Sequence, residues 1–147
     1  LGIKTFVFPI DKNHSVENFE ERLLNLIIKE NIELICLAGF MKILSKNFIQ
    51  NYKGIILNIH PSILPSIKGL NTHKRILEKD VNTHGATVHI VTSELDSGKI
   101  LGQLTMNILK EDTPKTLARR LIKKEHKLYT KVIRNVLEVK NTIIQEN

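Results

Sequence analysis

Residues 57–69 read Leu57-Asn58-Ile59-His60-Pro61-Ser62-Ile63-Leu64-Pro65-Ser66-Ile67-Lys68-Gly69, an apolar run that ends in an amide and an imidazole. Alternate side chains of a strand share a face, so Asn58 and His60 point one way while Ile59 points into the core. Pro61 lacks a backbone N–H and stops the ladder, and Pro65 and Gly69 keep the next segment irregular. A strand that opens into a loop carrying paired polar groups is the ligand-binding mouth of an open α/β sheet.

The rest of the chain supports that class. Its 147 residues, 41% of them apolar, suit one domain with a proper core. Ile3 to Phe8 reads as a short strand. After Pro9 and Asp11, Ser15 caps a helix with Val16, Phe19, Leu23, Leu26 and Ile27 on one stripe. Ile32 to Ala38, closed by Gly39, has the continuous apolar character of a strand buried on both faces of a parallel sheet. Met41 to Leu44 connects, Ser45 caps a short helix carrying Phe48, Ile49 and Tyr52, and Gly54 leads into the strand Ile55 to Ile59.

Past the proline-rich loop, Asn71 to Lys79 is expected to be helical with Ile76 and Leu77 inward, followed by a turn over Asp80 to His84. Ala86 to Val91 and Ile100 to Ile108 read as strands around the turn Ser93 to Gly98, pairing antiparallel at the sheet's far edge. Thr113-Pro114 is a cap with proline at the first helical position, and Leu117, Leu121, Leu128, Val132, Val136 and Val139 predict one long helix. The repetition gives an α/β fold: a doubly wound, mostly parallel sheet in three layers, α/β/α.

Composition removes several function classes. Cys36 is the only cysteine, which excludes a disulfide framework within the chain and a cysteine-based zinc site and fits a reducing cytosol. No apolar stretch is long enough to span a bilayer, and the first residues read as a strand, not a signal peptide. The net charge of +7 suits an anionic substrate or a nucleic acid. Single-strand binders interleave basic and aromatic groups, and this chain has no Trp, two Tyr and five Phe, mostly in apolar patterns. Nucleic acid and membrane are therefore not expected as partners. His73, His84, His89 and His126 lack the spacing of a metal site, so no metal is expected, and His14 reads as loop surface. His89 alternates with Val88 and Ile90 and is placed toward the same mouth as Asn58. The basic side of the last helix reads as a solvated face, with Glu125-His126 a local acid–imidazole pair near Tyr129.

A histidine beside a carboxamide can move a proton to, and hold negative charge on, a carbonyl oxygen that is becoming tetrahedral. Asp96 has two readings: a turn former in Asp-Ser-Gly, or a carboxylate that raises the pKa of His60.

Asn58 to Pro65, Gly69, Thr72-His73, His84 to His89 and Leu95-Asp96-Ser97-Gly98, together with Leu37 to Ser45 and Glu125 to Tyr129, resemble the phosphoribosylglycinamide formyltransferase family. The resemblance covers essentially the whole chain, motifs in order. It implies transfer of a formyl group from 10-formyltetrahydrofolate to the amine of glycinamide ribonucleotide in purine synthesis, without a metal. His60 would be the general acid, Asn58 would hydrogen-bond the formyl oxygen, and Asp96 would raise the pKa of His60. Met41, Lys42, Ile43 and Leu44, with Asn58 and Thr92, Ser93, Glu94, Leu95 and Asp96, would bind the folate. Ile122, Lys123, Lys124 and Glu125 would reach the ribonucleotide. The implied protein is cytoplasmic, a monomer or homodimer acting on small molecules.

Residues 1–147 are then expected to form one formyltransferase domain without the family's first β-α-β unit and its phosphate loop. Val16 stands where the family often has a basic residue, Asn71 where a histidine is common, and Lys42, which lacks arginine's planar fork, where arginine is usual. Formyltetrahydrofolate deformylase and methionyl-tRNA formyltransferase would share the Asn-x-His core, although Pro61 argues against the tRNA enzyme. A non-catalytic folate-binding fragment is the alternative of a different class.

Overall fold

The computed structural model describes residues 2–8 and 16–145, with side chains described for 2–8 and 18–139. The Ser15 cap and the Val16 side chain lie outside that set. In chain order the elements are helix α1 (Val16–Lys29), strand β1 (Leu34–Leu37), helix α2 (Lys46–Asn51), strand β2 (Ile55–His60), helix α3 (Thr72–Leu77), strand β3 (Thr83–Ile90), strand β4 (Ile100–Asn107) and helix α4 (Pro114–Gln145).

The strands form one sheet in the order β1-β2-β3-β4. The α/β reading holds, in three layers. One pairing, β1 with β2, is parallel, and β2–β3 and β3–β4 are antiparallel. Among the described strands the sheet is therefore mixed rather than mostly parallel.

Alternation along β2 assigns the two faces. Ile56 packs with Ile27, Leu44, Phe48 and Tyr52, which places α1 and α2 on its side. Leu57, with Ile55 and Ile59, packs with Val88, Tyr129 and Val132 of the opposite face, under α4. Ile67, Ile76, Ala86, Met106, Leu117 and Leu121 continue that second core beneath α3 and α4. Fully burying one such side chain is worth about 1.5–3 kcal/mol, so both layers are held chiefly by apolar area.

Local signals behave as their chemistry dictates. Ser45 Oγ accepts the Phe48 N–H at 3.0 Å, capping α2, and Thr113 Oγ1 accepts the Thr116 N–H at 3.2 Å at the head of α4. Three expectations fail for tertiary reasons. Residues 2–8 form no strand, having no ladder partner among the described residues. Cys36 in β1 is exposed, because among the described residues β1 pairs only with β2 and occupies the sheet edge instead of being buried on both faces. The turn expected at Asp80 to His84 ends early: Thr83 and His84 already belong to β3, pairing with Asn107 and Met106.

His84 is only 1% exposed. Its Nε2 lies 3.0 Å from Nδ1 of His73 on α3, and its Nδ1 has no hydrogen-bond partner among the described residues. Burial first, and then the neighbouring His73 and His60, lower its pKa from 6.5 to about 4. The unfolded chain therefore takes up this proton first, so the stability due to neutral His84 is complete above pH 6.5 and is lost as pH falls through 4. At 1.36 kcal/mol per unit that loss is about 3 kcal/mol. Urea denaturation across this window should show it, and His84→Gln should flatten the dependence; an equally steep curve in the variant would remove His84 as the cause.

Candidate active site

The antiparallel register of β2 and β3 sets Asn58 opposite His89 and His60 opposite Thr87. Directly opposed residues share a face, so these four side chains form a polar band on the α1/α2 side of the sheet. His60, Thr87 and His89 are all buried.

Asp96 completes the band from the β3–β4 connection. Its Oδ2 lies 3.5 Å from Nδ1 of His60 and its Oδ1 3.5 Å from Nε2 of His89. The Gly69 N–H donates to Oδ2 at 2.8 Å. Asp96 takes φ +47°, a left-handed conformation that aspartate tolerates better than most residues and that marks functional turns. Gly98 makes the turn feasible: an added Cβ would stand 1.7 Å from the Ile90 carbonyl oxygen. The Asp-Ser-Gly turn exists, and it brings the Asp96 carboxylate to His60 and His89.

Hydrogen-bond partners fix the tautomers. A carbonyl only accepts, so His60 Nε2, 2.8 Å from the Ile67 oxygen, carries a proton. His89 Nδ1 donates likewise to the Ile90 oxygen at 2.9 Å. Asn58 Nδ2 lies 3.4 Å from His89 Nε2, leaving its second N–H and its carbonyl oxygen for a ligand.

Burial is the largest influence on the pKa of His60 and lowers it below 6.5, while the Ile67 carbonyl and Asp96 act upward and His89 and Arg75 downward. Asp96 therefore pushes in the expected direction, and burial outweighs it, so the net shift is downward. The resting imidazole is mostly neutral at pH 7.

The flanking segments are placed as follows. Leu37 pairs with Asn58, so the connection after β1 leaves beside the polar band. Met41, Lys42 and Ile43 are exposed, and Leu44 is buried in the core. Thr92, Ser93, Glu94 and Leu95 are exposed on the connection that brings Asp96 in. Ile122, Lys123 and Lys124 are exposed on α4, and Glu125 is half-buried. Burial pushes the Glu125 carboxyl pKa upward, partly offset by His126. That helix packs on the other face of the sheet, and no described contact joins these four residues to Asn58, His60 or Asp96.

Several contributors escaped sequence reasoning. Glu20, buried on α1, accepts the Ser45 N–H at 2.7 Å and so ties α1 to the end of the 39–45 connection. Gln103 Nε2 donates to Thr87 Oγ1 at 2.9 Å and to the Leu64 oxygen at 2.8 Å. The β3–β4 register, Thr87 opposite Gln103, was the signal available, and it requires the pairing to be known first. Among the described residues, no group of three or more His, Cys, Asp or Glu side chains could hold a metal ion, and no helix is long and apolar enough to cross a membrane.

A family model described as formyl transferase matches residues 1–133. The phosphoribosylglycinamide formyltransferase of Escherichia coli is 38% identical over 132 residues, covering 90% of this chain and 62% of that protein. A trifunctional purine biosynthetic protein of Gallus gallus is 43% identical over 128 residues, covering 87% of this chain and 13% of its own length. The crystal structure of phosphoribosylglycinamide formyltransferase from Streptococcus pneumoniae superposes with a TM-score of 0.85 at 31% identity, covering 92% of this chain and 76% of that one. The chain thus spans less than two thirds of the length of either curated relative.

Replacing Asp96 by Asn removes a negative charge that holds the His60 pKa up. An NMR titration should show the His60 midpoint shifted further down in Asp96→Asn; an unchanged or raised midpoint would show that the 3.5 Å approach carries no electrostatic weight.

Proposed function

The chain belongs to the formyl transferase family, and from that membership we propose that it transfers a formyl group from 10-formyltetrahydrofolate to the amine of glycinamide ribonucleotide. The observation that carries the reading is the cluster of Asn58, His60, His89 and Asp96 within hydrogen-bonding or ion-pairing reach on one face of the sheet. Formyl transfer needs what this cluster offers: a donor for an oxygen that gains charge and a group that moves one proton.

In the proposed reaction the amine attacks the formyl carbon, the carbonyl oxygen gains negative charge, and the bond from that carbon to the folate nitrogen breaks. The amine loses one proton and the folate nitrogen gains one, so none is consumed overall. The free N–H of Asn58 suits the developing oxyanion. A mostly neutral His60 suits a shuttle better than a standing acid: it accepts the proton released by the amine and returns it to the leaving nitrogen, with Asp96 stabilising the imidazolium between the two events. The segments 41–44 and 92–96 supply the folate side, largely through backbone groups. Glu125, with Ile122, Lys123 and Lys124 around it, is the proposed contact for the ribonucleotide. Its half-buried carboxylate suits a cationic or hydrogen-bonding group.

The competing reading, a folate-binding fragment without turnover, draws on the 62% coverage of the Escherichia coli relative. Assaying this chain and His60→Ala with both substrates separates the two. The variant should be slower by about 10²–10⁴-fold, and equal rates at background level would overturn the enzyme reading.

The shuttle also fixes the sign of the pH dependence. Because neutral His60 is the active form and its pKa lies below 6.5, kcat/KM should rise with pH to a plateau through an inflection under 6.5. A rate that falls over the same range would restore the standing-acid role.

A further inference from the structure

Ser62 was not among the residues that sequence reasoning assigned to the site, yet it is 1% exposed and uses every polar group it has. Its N–H donates to the His60 carbonyl at 2.8 Å. Its own carbonyl accepts the Thr87 hydroxyl at 2.7 Å. Its Oγ donates to the Ile67 carbonyl at 2.5 Å, the same oxygen that takes the His60 Nε2 proton at 2.8 Å.

We propose that Ser62 is a positioning residue for His60: with the Ile67 carbonyl it locks the imidazole as the Nε2–H tautomer, leaving Nδ1, the nitrogen beside Asp96, to exchange the proton. This rests on reading His60 as the proton-transferring group. A carbonyl oxygen has two lone pairs, and Ser62 and His60 occupy one each. Ser62 thereby restrains the oxygen from a second direction and fixes where the imidazole N–H must point.

The oxygen is restrained from below as well. The Ile67 side chain is 1% exposed and sits in the core under α3 and α4. The loop on either side is tied to β3, since Leu64 N–H donates to Thr87 Oγ1 at 3.0 Å, and that hydroxyl is itself held by Gln103 at 2.9 Å. Between these anchors, and besides His60 itself, Ser62 is the side chain among the described residues that bonds the Ile67 carbonyl directly. Without it the oxygen keeps one donor and its loop gains freedom, and the alternative tautomer, with Nδ1–H toward Asp96 Oδ2, becomes accessible to neutral His60.

That alternative is unproductive for a shuttle. A neutral ring already protonated at Nδ1 cannot accept the amine's proton on the nitrogen that Asp96 supports. The loss should therefore appear in kcat more than in KM, because ligand contacts on segments 41–44 and 92–95 are untouched.

The deciding measurement is the tautomer. In uniformly ¹⁵N-histidine-labelled protein at pH 8, long-range proton–nitrogen correlation spectra should show His60 of the unaltered chain as Nε2–H, and Ser62→Ala should show a measurable Nδ1–H population. Formyl-transfer kcat should fall by about tenfold, the worth of one ordinary hydrogen bond, with KM for the folate nearly unchanged. Ser62→Cys, which keeps a weak donor in a similar volume, should fall between the two and serves if Ser62→Ala does not fold. An Nδ1–H ring in the unaltered chain, or an unchanged tautomer in both variants, would overturn the proposal. The spectra need no turnover, so a chain that transfers no formyl group but shows the expected tautomer shift would sink the enzyme reading and leave the positioning role standing.

Discussion

One register governs the site. The ladder of β2 against β3 puts Asn58 across from His89 and His60 across from Thr87, and every polar contact at the band follows from it. Side chains alternate with a period of two, so a slip by one residue would rotate His89 into the α4 core and bring Val88 to Asn58. The register is held by apolar side chains on the reverse of the same strands: Leu57 and Val88, both 0% exposed, pack with Tyr129 and Val132. The Tyr129 hydroxyl adds a bond to the Leu57 carbonyl at 3.0 Å. The polar face is thus specified by the packing of the opposite one.

Against that fixed frame the site balances two opposing electrostatic demands. Taking His60 out of water disfavours its charged form, and a carboxylate 3.5 Å away favours it. Burial prevails and holds the His60 pKa below its ordinary value, while Asp96 offsets part of that fall. A fully exposed histidine would lose this contrast, because water would screen Asp96 and remove the burial effect together. The loop over Pro61 to Gly69 supplies the enclosure and, through the Gly69 N–H, also orients Asp96.

What the sequence makes legible divides along physical lines. Helix α4 and its Thr113 cap, α2 and its Ser45 cap, and the facing of Asn58 and His60 come from local rules of period and hydrogen bonding, and the structure agrees with each. The edge position of β1 and the absence of a strand at residues 2–8 depend on what lies alongside in space, which no local period encodes. His84 illustrates the same limit, since the polar pair Thr83-His84 suggests a turn until β4 supplies partners for it. At the candidate site, Asn58 and His60 were visible by type and spacing. Ser62, Thr87 and Gln103 were not, because a hydroxyl or amide earns its role only from the partner across a turn or ladder.

The two-layer division also bears on how substrates must arrive. The polar band lies on the α1/α2 side, whereas Glu125 belongs to the helix on the other face. A single ligand touching both would have to pass around the ends of the strands, where β1 and β2 run parallel and Leu37 stands beside Asn58. That end of a parallel pair is where helices on opposite faces leave a crevice. The net charge of +7 acts at long range on any anionic ligand, and this attraction weakens as added salt shortens the screening length.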